Sequence, residues 1–265
     1  MKHELPKMLK IERVIREAEG VHTLFLPYAG EVKAGQFVML WVPGVDAKPA
    51  GISYHQDGCI GVTISAVGAW SKEVCGKKSG DLLGLLGPYG NSFELIGENV
   101  VLVGGGYGAA TLMLLAEEAC RRSLKTTLIL GARSEAALLY RTRIKAMKLD
   151  AIFTTDDGSF GEKGFVTDIL QRKLQSEKVD GVYVCGPEIM EKRCAEICLA
   201  AEVPSQISLE RHMKCGFGVC GACCIDHSGR RVCVEGTIFS GADLLQTHEF
   251  GRYRRDSSAT KQPFA

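Results

Sequence analysis

Four cysteines near the carboxyl end of the chain form the pattern C-x4-C-x2-C-x9-C, at Cys215, Cys220, Cys223 and Cys233. The first three spacings are those of a loop in which four thiolates hold a [2Fe–2S] cluster. Such a loop must fold tightly around two irons and point backbone N–H groups at the sulfur atoms. The glycines between these cysteines permit this, because glycine tolerates a positive φ and close backbone approach. The pattern therefore predicts an iron–sulfur site, which moves one electron at a time.

Other roles for these cysteines remain open. Four thiolates could hold a structural zinc ion, although the first spacing and the intervening glycines fit a zinc ribbon poorly. The cysteines could also be unligated. Cys224 follows a ligand directly, and we expect it to be a small buried thiol rather than a ligand. His212 precedes the first ligand, but a mixed His/Cys cluster needs two histidines, so we expect it to have a structural or surface role.

The composition of the 265-residue chain argues against several classes of protein. Lys and Arg number 32 against 31 Asp and Glu, so the net charge of +1 provides no field for nucleic acid or an acidic surface. No apolar run reaches the roughly 20 residues needed to cross a bilayer. The amino-terminal residues lack the apolar core of a signal peptide. We therefore expect no nucleic-acid or membrane partner, and a reducing cytoplasm as the location of the 11 cysteines.

Three units of an α/β multi-domain protein are predicted from the apolar pattern. Residues 1–96 favour an antiparallel β-barrel, with strands at 11–16, 21–26, 37–42, 51–54 and 61–67 and a helix at 69–75. Residues 97–209 favour a doubly wound parallel sheet with strands at 100–103, 126–130, 151–154, 182–184 and 206–209. The helices of this unit are expected at 109–122, 134–147, 166–175 and 188–201. Residues 210–265 form a small segment that holds the cysteine pattern and a polar tail.

Two glycine-containing turns follow strands of the predicted parallel sheet. The first contains Gly104, Gly105, Gly106 and Gly108. A Gly-rich turn from a strand into a helix presents N–H groups to a phosphate. The spacing is not the G-x-G-x-x-G fingerprint, so a plain tight turn is the alternative. The second turn consists of Cys185, Gly186 and Pro187. These two turns could face one another across a nucleotide cofactor.

The order of barrel, Gly-rich unit and four-cysteine loop resembles the ferredoxin reductase superfamily, and within it the electron-transfer subunits of type B dihydroorotate dehydrogenase. The resemblance covers essentially the whole chain. Its specific motifs are GQFV at 35–38, GPYGN at 87–91, DDGSFG at 156–161 and SLERHMKC at 208–215. It implies FAD on the barrel, NAD on the second unit and a [2Fe–2S] cluster near the carboxyl end.

The flavin motif of this chain departs from the one that the family usually carries. Relatives have R-P-x-S, whose arginine and serine serve the flavin phosphates and ring, whereas this chain has Lys48, Pro49, Ala50 and Gly51. Lysine keeps the charge but loses the bidentate fork. Since Gly51 has no hydroxyl, either a backbone N–H or Ser53 must replace that of the serine.

A second flavin turn is expected where N–H groups at a helix start could meet the pyrophosphate, at Val67, Gly68, Trp70 and Ser71. Trp70 replaces a glycine of the family's V-G-x-G-T turn. It either stacks on the cofactor or plugs the end of the barrel.

The resemblance implies a converter between two-electron and one-electron carriers. An FMN-containing partner subunit, expected in a heterotetramer, would oxidise dihydroorotate for pyrimidine biosynthesis, and this chain would pass the electrons through the cluster and FAD to NAD⁺. No catalytic residue for dihydroorotate is expected here. The alternatives are an NAD(P)H reductase subunit acting on ferredoxin or sulfur compounds, and a non-catalytic zinc-stabilised nucleotide-binding module. Arg133 and Ser134 could receive a 2′-phosphate, which conflicts with the family's preference for NAD.

Overall fold

In the computed structural model, which describes residues 5–264, the amino-terminal part is an antiparallel sheet of seven strands. Its strands are β1 (Lys7–Lys10), β2 (Arg13–Ala18), β3 (Val21–Pro27), β4 (Phe37–Val42), β5 (Asp46–Gln56), β6 (Cys59–Ser65) and β7 (Leu82–Tyr89). They lie in the order β1-β7-β4-β5-β6-β3-β2. Alternate apolar residues, such as Leu24 and Leu26 of β3, point into one buried core, as strand periodicity requires. Helix α1 (Ala69–Gly76) packs against β4 and β6.

This unit contains the five strands and the helix that were predicted for it, together with two strands that were not predicted. The sequence of β7, LLGLLGPY, is interrupted by glycine and proline, which normally mark turns rather than strands. β1 is short and half polar, so its pattern is weak. Among the described residues no pairing joins β1 to β2, and the unit is a curled antiparallel sheet.

A second sheet of seven strands follows along the chain. It contains β8 (Asn99–Gly105), β9 (Lys125–Ala132), β10 (Asp150–Thr155), β11 (Glu162–Lys163), β12 (Gly181–Cys185), β13 (Ser205–Ser208) and β14 (Ile238–Ser240). The order is β11-β10-β9-β8-β12-β13-β14, and all pairs are parallel except that of β13 with β14. Its helices are α2 (Ala109–Arg121), α3 (Arg141–Met147), α4 (Val166–Ser176) and α5 (Glu188–Ala200).

Helices cover both faces of this second sheet. Val101 and Val103 of β8 share a buried cluster with residues of α4 and α5. Val100 and Leu102 of the same strand share another cluster with α2. Since successive side chains of a strand point to opposite faces, the two clusters lie on opposite sides of the sheet. Strand β8 lies between β9 and β12, so the order of strands reverses there, which is where open α/β sheets bind ligands.

The prediction of a single helix at 134–147 is wrong. The structure has a short 3-10 turn at Glu135–Ala137, and α3 begins only at Arg141. Tyr140 has a φ of +60°, which breaks the helix, and its side chain is buried. The Tyr140 hydroxyl is 2.5 Å from the Thr63 hydroxyl of the first sheet. Contact between the two sheets therefore overrides the local helical pattern.

The carboxyl-terminal residues do not form a separate layer. They contain α6 (Val232–Glu235), α7 (Gly241–Leu245), β15 (Tyr253–Arg255) and β16 (Lys261–Pro263). Strand β14 returns to the edge of the second sheet, so the predicted boundary between residues 209 and 210 divides the sequence but not the sheet. Asn91 joins this return to the first sheet, because its amide accepts from Ile238 N–H and donates to Ile238 O, both at 2.8 Å. Within residues 5–264 no helix has the length and apolarity to span a bilayer.

Candidate cofactor sites

The four cysteines of the C-x4-C-x2-C-x9-C pattern come together as two pairs. Cys215 contacts Cys220, and Cys223 contacts Cys233. A hydrogen bond from the Cys233 thiol lowers the pKa of Cys223 to about 6, while that contact raises the pKa of Cys233. Among the described residues no three His, Cys, Asp or Glu side chains converge on one point. Two pairs suit a [2Fe–2S] cluster, in which each iron takes two thiolates.

Backbone N–H groups surround the first of these sulfur atoms. Burial raises the pKa of the Cys215 thiol, but hydrogen bonds from the backbone of Cys220, Phe217 and Val219 outweigh it and lower the pKa to about 7. The intervening glycines have φ values of +81°, +86° and +70°, so the loop uses the left-handed region as expected. A loop of N–H groups around thiolates stabilises the negative charge that a cluster carries.

The cysteines differ in their exposure to solvent. Cys220 is exposed, whereas Cys223 and Cys233 are buried. A cluster held by these thiolates would have one edge just below the surface. Cys224 is half-buried, and burial raises its pKa above the usual value. Its backbone pairs with that of Arg231, and its thiol is less buried than was expected from sequence.

The cysteine loop packs directly on the strand that pairs with the predicted flavin motif. A Cβ built on Gly216 would lie 2.5 Å from Met39 Cγ, so only glycine fits there. In the register of β4 and β5, Met39 is opposite Pro49. Phe217 of the loop also meets Tyr89, with ring centroids 6.2 Å apart. The cluster loop therefore packs on β4, and the neighbouring strand β5 carries the flavin motif.

The structure shows what surrounds the predicted flavin residues. Lys48 forms an ion pair of 2.8 Å with Asp46, and its charge contributes to lowering the pKa of His212 after the larger effect of burial. Ala50 is buried in the core of the first sheet. Ser53 is fully buried, and its hydroxyl lies 3.1 Å from Gly61 O and 2.8 Å from Thr63 Oγ1. These protein partners occupy the Ser53 hydroxyl.

The second predicted flavin turn forms the start of α1. Ser71 Oγ accepts from the backbone N–H groups of Val67 at 3.0 Å and Gly68 at 2.9 Å. Trp70 is buried among residues of the first core, and its indole N–H has no hydrogen-bond partner in the described chain. Of the two roles considered for Trp70, this burial favours the plug over a stacking platform. Part of the N–H array expected for a pyrophosphate is thus occupied by a side chain.

The two glycine turns of the second sheet touch each other. A Cβ on Gly108 would lie 2.6 Å from Cys185 O, and a Cβ on Gly186 would lie 3.0 Å from the backbone of Gly105. The turns therefore contact each other directly. This differs from the sequence-based expectation that they could face one another across a cofactor. β8 and β12 are neighbours, and glycine allows their ends to meet. A nucleotide held at these strand ends would therefore lie outside them, over Gly104 to Gly106 and Pro187.

Two acidic residues near these turns were missed by sequence reasoning. The Tyr107 hydroxyl is 3.0 Å from a carboxylate oxygen of Glu210, which follows β13. Glu191 is buried and accepts from the Gly186 N–H at 3.0 Å. Burial raises the pKa of the Glu191 carboxyl group and of the Cys185 thiol, whereas Glu210 is exposed. Glu210 is part of the SLERHMKC motif, but Glu191 reads from sequence as an ordinary helix residue.

A third edge of this site is formed by the loops after β9 and β10. Arg133 is exposed, and Ser134 begins the 3-10 turn. The Glu135 N–H donates to Ser159 Oγ at 2.7 Å, so the two loops are joined. The side chain of Asp157 holds the second loop by accepting from Ser159 N–H and hydroxyl. Positive and negative groups are thus both present in the loops after β9 and β10.

Fold and site together define a class: a reductase that joins a curled antiparallel sheet, a nucleotide-binding α/β sheet and an iron–sulfur loop. Comparison with known proteins agrees. The iron–sulfur cluster binding domain of dihydroorotate dehydrogenase B matches residues 210–245, and the oxidoreductase NAD-binding domain matches residues 102–196.

Similar proteins extend over almost the whole chain. A probable dihydroorotate dehydrogenase B (NAD⁺) electron transfer subunit of Methanocaldococcus jannaschii is 43% identical over 97% of this chain and 98% of its own. The corresponding protein of Methanothermobacter thermautotrophicus is 42% identical over 98% of each chain. This chain belongs to the family of dihydroorotate dehydrogenase B electron transfer subunits.

Solved structures give the same fold. An NADH-dependent reduced ferredoxin–NADP oxidoreductase is 31% identical, with a TM-score of 0.82 over 91% of this chain and 90% of the other. Phthalate dioxygenase reductase, at 17% identity and a TM-score of 0.63 over 72% and 64% of the two chains, shares the fold alone.

Proposed function

We propose that this chain is the electron-transfer subunit of a dihydroorotate dehydrogenase and passes electrons through a [2Fe–2S] cluster and FAD to NAD⁺. The observation that carries the proposal is the position of the cysteine loop against β4, opposite the flavin motif of β5. The strand that carries the flavin motif is hydrogen-bonded to the strand against which the cysteine loop packs, so a cluster and a flavin held there would be near neighbours. Bound together, these groups join hydride chemistry to single-electron transfer.

The residues of the chain would position the groups rather than react. Cys215, Cys220, Cys223 and Cys233 would hold the irons, and the stretch from Lys48 to Gly51, with the start of α1, would hold FAD. The ends of β8 and β12 would bind the nicotinamide nucleotide, with Tyr107 and Glu210 at their mouth. We propose NAD as this nucleotide, consistent with the names of the similar proteins.

Dihydroorotate itself would react on a partner chain. The motifs of this chain are accounted for by the FAD, nucleotide and cluster sites. We therefore propose an FMN-containing catalytic subunit as the partner, in a heterotetramer, and a cytoplasmic location. The exposed Cys220 edge of the loop would face this partner.

Reconstitution tests the proposal. The purified chain should contain FAD, iron and acid-labile sulfide, and should reduce artificial acceptors with NADH but not oxidise dihydroorotate. Addition of the FMN-containing subunit from the same source should restore NAD⁺-linked oxidation of dihydroorotate. The proposal fails if the two chains neither copurify nor couple in that assay. FMN instead of FAD, identified by chromatography after heat release, would contradict the flavin assignment.

A second candidate is a reductase subunit that serves ferredoxin. The observation that favours it is the 31% identity and TM-score of 0.82 to the ferredoxin–NADP oxidoreductase structure. In that case reduced ferredoxin, not dihydroorotate with its FMN subunit, would reduce the bound flavin in an anaerobic spectral titration. The same titration with NADH and NADPH decides the nucleotide, because a tighter response to NADPH would show that Arg133 receives a 2′-phosphate.

A further inference from the structure

The flavin motif contains a gap, because it ends in Gly51 where relatives have a serine hydroxyl for the flavin ring. A Cβ built on Gly51 would lie 3.0 Å from Thr111 Oγ1 and 3.9 Å from Thr111 Cβ. In the described part of the chain, Thr111 is the only residue that such an atom would meet within 4 Å. The hydroxyl of Thr111 therefore lies where a side chain at position 51 would begin.

Thr111 belongs to the other sheet unit. It lies in the first turn of α2, directly after the glycine loop of β8, and α2 packs against β5. Its side chain is partly exposed, as a residue at the wall of a cleft would be. The hydroxyl also contacts the Cys185 thiol, whose pKa it lowers slightly against the larger effect of burial. Thr111 thus stands between the flavin motif and the nucleotide turn.

Ser53, the replacement considered from sequence, has its hydroxyl occupied elsewhere. It is 2.8 Å from Thr63 Oγ1, which in turn is 2.5 Å from the Tyr140 hydroxyl. All three side chains are buried between the two sheets. To reach a flavin, Ser53 would have to leave two hydrogen bonds in a buried site, which costs more than a new bond returns.

We propose that Thr111 supplies the hydroxyl that hydrogen-bonds the flavin ring in place of the family's serine. The donor thereby moves from the flavin sheet to the nucleotide unit, so the first turn of α2 helps both to hold the ring and to form the nucleotide site. The inference rests on the proposed function, because it requires FAD at the motif of β5.

Three variants test this assignment by binding and spectrum. Thr111→Val keeps the shape and removes the hydroxyl, Thr111→Ser keeps the hydroxyl, and Gly51→Ser with Thr111→Ala returns the hydroxyl to the flavin sheet. Gly51 has no positive φ, and Thr111→Ala removes the atom that a Cβ would meet, so the double variant fits. Each apoprotein is titrated with FAD, followed by flavin fluorescence and the visible absorption spectrum.

Thr111→Val should bind FAD about three- to tenfold more weakly, the value of one hydrogen bond, and should shift the flavin absorption bands. Thr111→Ser and the double variant should keep both the affinity and the band positions of the native chain. Thr126→Val is the control, because the Thr126 hydroxyl donates to Leu124 O at the opposite end of the sheet. It should leave FAD binding and spectrum unchanged.

An unchanged affinity and spectrum in Thr111→Val would overturn the assignment, as would a double variant that binds like Thr111→Val. Iron content and melting temperature show whether a variant is folded, and if Thr111→Val does not fold, the double variant against Thr111→Ala alone decides. Failure of the proposed function looks different: the native chain itself would then bind no FAD.

Discussion

Cys220 and Cys224 are close in sequence, yet the structure gives them different surroundings. Cys220 contacts Cys215 and is exposed, whereas Cys224 is half-buried and burial raises the pKa of its thiol. We expect Cys220→Ser to lose most of its iron and acid-labile sulfide, and Cys224→Ser to keep both. Chemical analysis of the two purified variants measures this. Full retention after Cys220→Ser, or loss after Cys224→Ser, would show that the ligand set is different.

The buried carboxyl group of Glu191 leads to a prediction about how the stability of the fold depends on pH. Burial raises its pKa well above the ordinary value of 4.5, so the folded chain holds a proton that the unfolded chain releases above that value. Stability should therefore fall as pH rises above 4.5, by at most about 1.4 kcal/mol per pH unit until the folded pKa is reached. Glu191→Gln keeps an acceptor for Gly186 N–H and removes this dependence.

The free energy of unfolding, measured in denaturant from mildly acidic to mildly alkaline pH, should therefore favour Glu191→Gln increasingly as pH rises. Glu196→Gln, on the same helix with a side chain 42% exposed, is the matched control. Parallel curves for Glu191→Gln and the native chain would mean that Glu191 is ionised in the folded protein.

Single residues also show how far the sequence could be interpreted. The cysteine ligands are predictable because their spacing is local and the loop geometry follows from it. The pair of Tyr107 and Glu210 was missed, since the two residues are 103 positions apart and meet only through the order of the strands. Thr111 was missed for the same reason, because its proposed role depends on the proximity of its hydroxyl to a glycine in the other sheet.

Among strands and helices, one buried ion network joins several elements. Arg211, just after β13, donates to Glu188 at the start of α5 and to Glu249 after α7, both at 2.6 Å. The three side chains are 4%, 9% and 3% exposed. Glu249 also accepts from the Asp226 N–H, so the network extends to the cysteine segment. The segment is thereby fixed to the nucleotide sheet.

Removal of the Arg211 charge, at the centre of this network, should lower the free energy of unfolding. Arg211→Met leaves two buried carboxylates without a cation, and we expect a loss of about 3–5 kcal/mol in the free energy of unfolding. Arg122→Met, which breaks the exposed pair with Glu118 on α2, should cost less than about 1 kcal/mol. Denaturant unfolding of both variants in the same cofactor state compares them. Equal losses would mean that the Arg211 network adds no more than a surface pair.

Elements were predictable where one local period governs them. The alternation of strands and helices in 97–209 gave five strands of the second sheet and most of its helices. The helix at 134–147 failed because Tyr140 is buried against Thr63, a contact between sheets that no local pattern contains. β14 was hidden for a similar reason: three residues of the last segment become a strand only by pairing with β13.

For the molecule as a whole, the position of the cysteine loop indicates where the proposed partner would approach. The loop is held against β4 on its inner side, so in the proposed function electrons from a partner would enter through its outer side. There, Val219 and Val234 are 71% and 42% exposed, close in sequence to the exposed Cys220 and the buried Cys233. Apolar side chains exposed beside a redox centre favour a protein interface over open solvent.

A charge on this outer side should separate the partner from the chain without harming the cofactors. We expect Val219→Glu to weaken binding of the FMN-containing subunit by at least about tenfold, because a carboxylate would be desolvated in the interface. Flavin content, iron content and NADH reduction of artificial acceptors should stay at native levels, since Val219 points away from the core. Leu199→Glu, at a side chain 57% exposed on the end of α5, is the matched control and should bind normally. Titration of each variant against the partner subunit measures the affinities. Equal binding by Val219→Glu and the native chain would place the interface elsewhere, and electrons would then need a path that does not pass the Cys220 edge.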